Sequence, residues 1–289
     1  MSRQKFWRQI RLPRFAGEAN LPDKTYGQEL SCHIVLTLAH SPVFSVCLRE
    51  LRVWAKALAA RIICRMAMRE LKQEVLRYAR QMMFDGLARG SQGNVSAIDR
   101  ASGLIAITPS AADYSSMTED DIVVVNAAGD VVEGRWKPTI ETPLHTLVLR
   151  RRPDVGAVVH CHAPHVSGFA AALQPIPLVL AEAAACVGHE VPCAPFMPSG
   201  TAEFAALMLD VLGRGNAAVM GQHGLLTCGA DLRRAYAAAV AVEDSARACI
   251  HARSLGFTPQ PLPPQVCAEL HQWWRVAYRR KGIASSDSA

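Results

Sequence analysis

Residues 137–164, KPTIETPLHTLVLRRRPDVGAVVHCHAP, constrain this chain more than any other stretch. Their last part, VGAVVHCH at 155–162, is a short apolar run of the kind that forms a buried strand. In a strand alternate side chains share a face, so His160 and His162 point one way and Cys161 the other. Two imidazoles on one face of a strand end offer a pair of ligands to a divalent metal, although an isolated histidine serves as readily as a hydrogen-bonded core residue. Glu141 stands 19 residues before His160, at the start of a helical pattern through Leu144, Leu147 and Val148. A third histidine, His223, lies in the segment Gly221-Gln222-His223-Gly224, after an apolar run ending at Met220. Three histidines and a carboxylate suit a catalytic zinc-type site, with a coordination position left for water or substrate.

The chain has 289 residues and is 50% hydrophobic, enough for one sizeable core or a core with an appendage. Its net charge of +6 is unevenly placed: residues 1–69 carry 12 Lys and Arg against 4 Asp and Glu, residues 70–289 carry 19 against 21. A basic first quarter is compatible with nucleic acid, a membrane surface or a targeting leader. This one lacks a regular amphipathic period and is interrupted by Pro13, Pro22 and Pro42, so neither a nucleic-acid nor a membrane partner is expected. The longest apolar stretch, 32–48, contains His33, His40 and Pro42 and is too short and polar to span a bilayer. Nine cysteines without paired spacing fit a reducing cytoplasm better than a disulfide framework.

Along the rest of the chain, apolar residues at helical spacing predict a core-facing helix over 70–88. Strands are expected at 94–98 and 104–108, then at 122–126 and 131–132 around the Gly129-Asp130 turn. The next helix can enter at Thr139 or at Thr142-Pro143, and either entry leaves Glu141 near a helix N-terminus, which favours its ionised form. A helix at 164–173, a strand at 178–180, a helix at 203–212, strands at 216–220 and 225–228 and a long helix capped by Asp231 follow. Four prolines between 259 and 264 precede a last helix at 265–279, and residues 284–289 are expected to be disordered.

Read together, GNVS at 93–96, ITPS at 107–110, E-x-x-x-H at 141–145, R-P-D-x-x-A-V-V-H-x-H at 152–162, VPCAPF at 191–196 and Q-H-G-L-L-x-x-G at 222–229 form an ordered series. The series resembles the class II aldolase/adducin family, with a match from about Met68 to about Ala252. The resemblance implies a three-layer α/β fold, in which a central, mostly antiparallel sheet of about nine strands is flanked by helices. It implies a homotetramer with sites between subunits, and a metal held by His160, His162 and His223. Zinc is the expected ion, with Mn2+, Co2+ or Fe2+ as alternatives. Glu141 would move the proton. Asn94, Ser110 and Thr139 would meet the substrate, and Glu182, the one charge in the run 178–187, would line its pocket. His145 would orient Glu141 or fill the wall, and Tyr278 would reach a neighbouring subunit's site.

The implied division is a basic extension at 1–67, a family domain at 68–256, and a proline-rich linker, helix and tail at 257–289. The extension is expected to be poorly integrated with the fold, the working protein starting at Met66 or Met68. The chain departs from the family at Gln92 and Ile140, where serines are usual, and at Ala111, where glycine is usual; all three weaken the phosphate pocket. The implied activity is cleavage of a C–C bond in a sugar phosphate or related ketose through a metal-stabilised enediolate. The alternative is decarboxylation of a hydroxy or keto acid by the same electron sink. An epimerase is less favoured, because such relatives usually carry aspartate where Glu141 stands. A non-catalytic adducin-like module is disfavoured, because such modules lack the metal histidines.

Overall fold

Beyond residue 90, short β-branched and small-apolar runs alternate with alanine-rich helical segments, and each kind of run takes the element its period dictates. The structure is a computed structural model that describes residues 42–280; side chains at 42–53, 56, 57, 60, 61 and 277–280 lie outside the description. The expected basic extension up to residue 41 and the tail from 281 are likewise outside the described residues. The chain divides into two compact units, Met1–Arg61 and Ile62–Ala289.

Helix α1 spans Pro42–Phe84, far longer than the helix expected at 70–88. Pro42 is its first residue, where a preset φ and an absent N–H suit a helix start rather than break it. The other end comes four residues early. Gly86 adopts φ 73°, the Gly86 N–H donates to Met83 O and the Leu87 N–H to Met82 O, a paired closure that stops the helix and turns the chain.

The sheet has eight strands among the described residues, in the order β4-β3-β2-β1-β5-β8-β7-β6. They are β1 (Asn94–Asp99), β2 (Leu104–Ile107), β3 (Val123–Val125), β4 (Val131–Glu133), β5 (Ala157–Cys161), β6 (Cys193–Ala194), β7 (Ala217–Met220) and β8 (Gly224–Gly229). All neighbours are antiparallel except β6 and β7. No strand forms at 178–180: Pro175 and Pro177 remove donors, and the only pairing there is the isolated bridge Ile176–Val191.

The remaining helices are α2 (Thr142–Arg151), α3 (Pro164–Ala171), α4 (Ala181–Val187), α5 (Ala202–Leu212), α6 (Leu232–Ser254) and α7 (Pro264–Arg280). They make two cores, one on each sheet face. Val95, Ala157, Val159, Cys161 and Leu225 pack with α1, α3, α4 and α6, while Ile105, Ile107, Val158 and Leu226 pack with α2 and α5. His160, next after Val159, therefore faces the α2 side, and fully buried Cys161 faces the other. Among the described residues no helix is long and apolar enough to cross a membrane.

Candidate metal centre

Sheet register assembles the site. Strand β5 runs between β1 and β8, placing His160 opposite Asn94 on one side and Leu226 on the other. His162 follows directly after β5, and its N–H donates to Leu87 O at 2.9 Å. His223 sits in the turn between β7 and β8, where Gln222 takes φ 54° and the His223 N–H donates to Met220 O. The turn must come this close: a Cβ on Gly224 would lie 2.5 Å from Cys161 O and 3.1 Å from the His160 ring. Gly93 is as tightly placed, since its Cβ would lie 2.6 Å from His160 O. Glycine at these two positions lets β1 and β8 close on the strand that carries the histidines.

The three imidazoles form a triangle with ring centroids 4.7–5.0 Å apart, and one nitrogen from each lies within 4.8 Å of the others. The His160 Nδ1–H donates to Leu225 O at 3.0 Å, which turns the Nε2 lone pair inward. That lone pair meets His162 Nε2 at 3.0 Å and Glu141 Oε2 at 3.4 Å. Burial, and then the neighbouring His162, hold the His160 pKa down at about 3. Burial, and then His160, hold His223 at about 4, and burial lowers His162 as well. Neutral imidazoles with converging lone pairs are the form a divalent cation takes up.

Glu141 caps the N-terminus of α2, with no bond from its carboxylate to the helix N–H groups. The side chain instead turns inward and is 2% exposed. Its Oε2 accepts from Asn94 Nδ2 at 2.9 Å; its Oε1 is buried without a hydrogen-bond partner, 3.9 Å from His223 Nε2. An orphaned buried carboxylate oxygen beside three inward lone pairs fits a cation among them.

Around this centre lies a buried polar network. Fully buried His145 has Nε2 2.5 Å from Asn94 Oδ1 and Nδ1 2.7 Å from Ser96 Oγ, and burial holds its pKa at about 4. It therefore reaches Glu141 through Asn94 and not directly. Thr139 is buried and its hydroxyl accepts from the Glu141 N–H at 3.3 Å. Ser110 rides on the segment paired with it: the Ser110 N–H donates to Lys137 O, and the Thr139 N–H to Thr108 O. Two further residues lie around the centre that were not among the expected site residues. Ser96 needed only the two-residue period from Asn94, whereas Tyr114, whose hydroxyl donates to Gly93 O at 2.6 Å, offered no such signal.

Glu182 is not brought to the histidines of its own chain. Glu182 is exposed on α4 and lines a cleft with Leu180, Ala183, Asp244, Arg247 and His251. Tyr278 lies on α7, and its side chain is outside the described residues. Of the departures from the family pattern, Ile140 is 64% exposed and Ala111 takes φ 55°, the left-handed conformation that glycine adopts without a steric penalty.

With this geometry in place, comparisons with known proteins point one way. The model of the family described as class II aldolase and adducin N-terminal domain matches residues 73–250. A 5-deoxy-D-ribulose 1-phosphate aldolase from Bacillus thuringiensis is 31% identical over 198 residues, covering 68% of this chain and 92% of that protein. An L-ribulose-5-phosphate 4-epimerase from Salmonella paratyphi B is 34% identical over 206 residues, covering 68% and 90%. Among solved structures, an L-fuculose 1-phosphate aldolase superposes with a TM-score of 0.68 at 30% identity, over 71% of this chain and 96% of that one.

Proposed function

The chain belongs to the class II aldolase and adducin family, and from that premise we propose that it is a zinc-dependent aldolase that cleaves a phosphorylated ketose. The observation that carries the reading is the orphaned Oε1 of Glu141 beside the three histidines. His160, His162 and His223 would hold the metal; Mn2+, Co2+ and Fe2+ suit the same donors. When bound, the metal supplies the positive charge that stabilises electron density moving onto the substrate's carbonyl oxygen. Glu141, held beside the metal position but needed by none of the histidines, would take up the proton that the substrate hydroxyl releases as the C–C bond breaks and pass it to the donor carbon, with the reverse transfers in the reverse direction. Ser110 and Thr139, on adjoining segments next to Glu141, would receive the phosphate end. The working form we propose is a cytoplasmic homotetramer.

Removing His160 tests the metal half of this reading. His160→Ala is expected to lose metal and activity together while its far-UV spectrum stays that of the wild type; full occupancy by elemental analysis would refute the site. Glu141→Gln is expected to keep one metal per chain and to turn over about 10²–10⁴-fold more slowly, the usual worth of a positioned proton-transfer group. In deuterated solvent the wild type should exchange the α-proton of dihydroxyacetone phosphate, followed by NMR, and the variant should not. The exposed Ile140 in the phosphate pocket favours a second reading, decarboxylation of a hydroxy or keto acid. Carbon dioxide release without any such exchange would establish the second reading over the first.

A further inference from the structure

Asn94 and Ser96 lie two apart on β1 and so share the face that looks onto α2, where His145 sits one turn beyond Glu141. The four side chains form one buried chain of contacts: Ser96 Oγ to His145 Nδ1, His145 Nε2 to Asn94 Oδ1, Asn94 Nδ2 to Glu141 Oε2. Exposures of 0, 0, 5 and 2% for Ser96, His145, Asn94 and Glu141 leave water little access to it. A neutral imidazole has one donor and one acceptor nitrogen, and an amide has one end of each kind. With the Asn94 amide nitrogen donating to Oε2 of Glu141, only one polarity satisfies every member. The Ser96 hydroxyl donates to Nδ1, the Nε2–H donates to Asn94 Oδ1, and the Asn94 amide donates to Glu141. Reversing the imidazole would turn Oδ1 toward the carboxylate and set two acceptors face to face.

We propose that Ser96, His145 and Asn94 are a positioning relay that holds His145 as its Nε2–H tautomer, so that Asn94 presents an N–H to Oε2 of Glu141 and leaves Oε1 as the oxygen that exchanges a proton with substrate. The inference rests on the reading of Glu141 as the proton-transfer group and sharpens it to one oxygen. It also gives Asn94 a role apart from the substrate: its Oδ1 and one of its two amide N–H groups are engaged inside the protein. Ser96 and His145 never touch the reacting atoms; they act through Asn94.

Two measurements decide this. In 15N-labelled metal-free protein, the His145 ring signals, assigned by their loss in His145→Gln, are expected to show a protonated Nε2 and a bare Nδ1, with the Nε2 proton slow to exchange. A protonated Nδ1 overturns the relay whatever reaction the enzyme catalyses, so this arm stands apart from the aldolase reading. In kinetics, Asn94→Asp, which keeps the shape and removes the donor, should lower kcat about 10²-fold with KM within a few-fold and metal content unchanged. His145→Leu should lose activity to a similar extent, and the double variant should be no worse than Asn94→Asp alone, as expected of residues acting in series. His145→Gln, which restores an N–H near the Nε2 position, should recover most of the loss and carries the comparison if His145→Leu does not fold. A KM raised about 100-fold at constant kcat in Asn94→Asp would return Asn94 to the phosphate and overturn the proposal.

Discussion

Among the described residues, Ala111 is one of three, with Leu173 and Gln222, whose left-handed conformation argues against their own side chains. It follows Ser110 at φ 55°, exposed, in a left-handed conformation that disfavours a Cβ by about 1–2 kcal/mol. Glycine loses about 0.5–1 kcal/mol of this advantage to its unfolded-state entropy. Ala111→Gly is therefore expected to raise the melting temperature by about 1–4 °C, checked by calorimetry; an unchanged or lower value would show that the turn relaxes around alanine. The same scale shows what could be read residue by residue. His160, His162 and His223 were legible because strand period and flanking glycines announce a shared face and a tight turn. Glu141 was legible as a helix-end charge, and its role only through resemblance. The relay partner Ser96 was hidden, because a serine in a strand carries no mark of which long-range partner will bury it.

At the scale of elements, the loop entering β3 depends on one carboxylate. Asp121, on a short 3-10 turn at Glu119–Asp121, accepts from the Thr118 N–H and hydroxyl, from Arg135 and from Trp136 Nε1. The Thr118 backbone bond, followed by those from Arg135 and Trp136, holds its pKa well below the ordinary carboxylate range. A depressed folded pKa contributes stability that is complete above the unfolded value of about 3.9 and fades as pH falls toward the folded one. The gap in melting temperature between wild type and Asp121→Asn should accordingly be larger at pH 7 than at pH 3. A gap independent of pH would assign the stabilisation to packing of Trp136. Elements were largely legible where the period was clean, as in β5, β8 and α6. They were misjudged where proline decides: Pro42 begins α1, and Pro175 and Pro177 keep 178–180 out of the sheet.

For the whole molecule, the division at Arg61 and Ile62 bears on which part is needed. The family match begins at residue 73, and the buried face of the sheet-bearing unit already includes Met68. We therefore propose that a chain starting at Met66 binds one metal, assembles as a tetramer and turns over at the full-length rate. Light scattering and metal analysis check it, and loss of assembly or of metal on truncation would give the first unit a part in the site. By itself, the sequence determined the family, the alternation of strands and helices, and which three histidines come together, because these follow from ordered motifs, short-range periodicity and side-chain chemistry that survives in any context. Tertiary structure alone decided that Asn94 faces Glu141, that Oε1 is left without a partner, and that Glu182 lies in another cleft. Those are contacts between residues some 50 positions apart, such as Asn94 and His145. They depend on which strands pair and in what register, which no local pattern encodes.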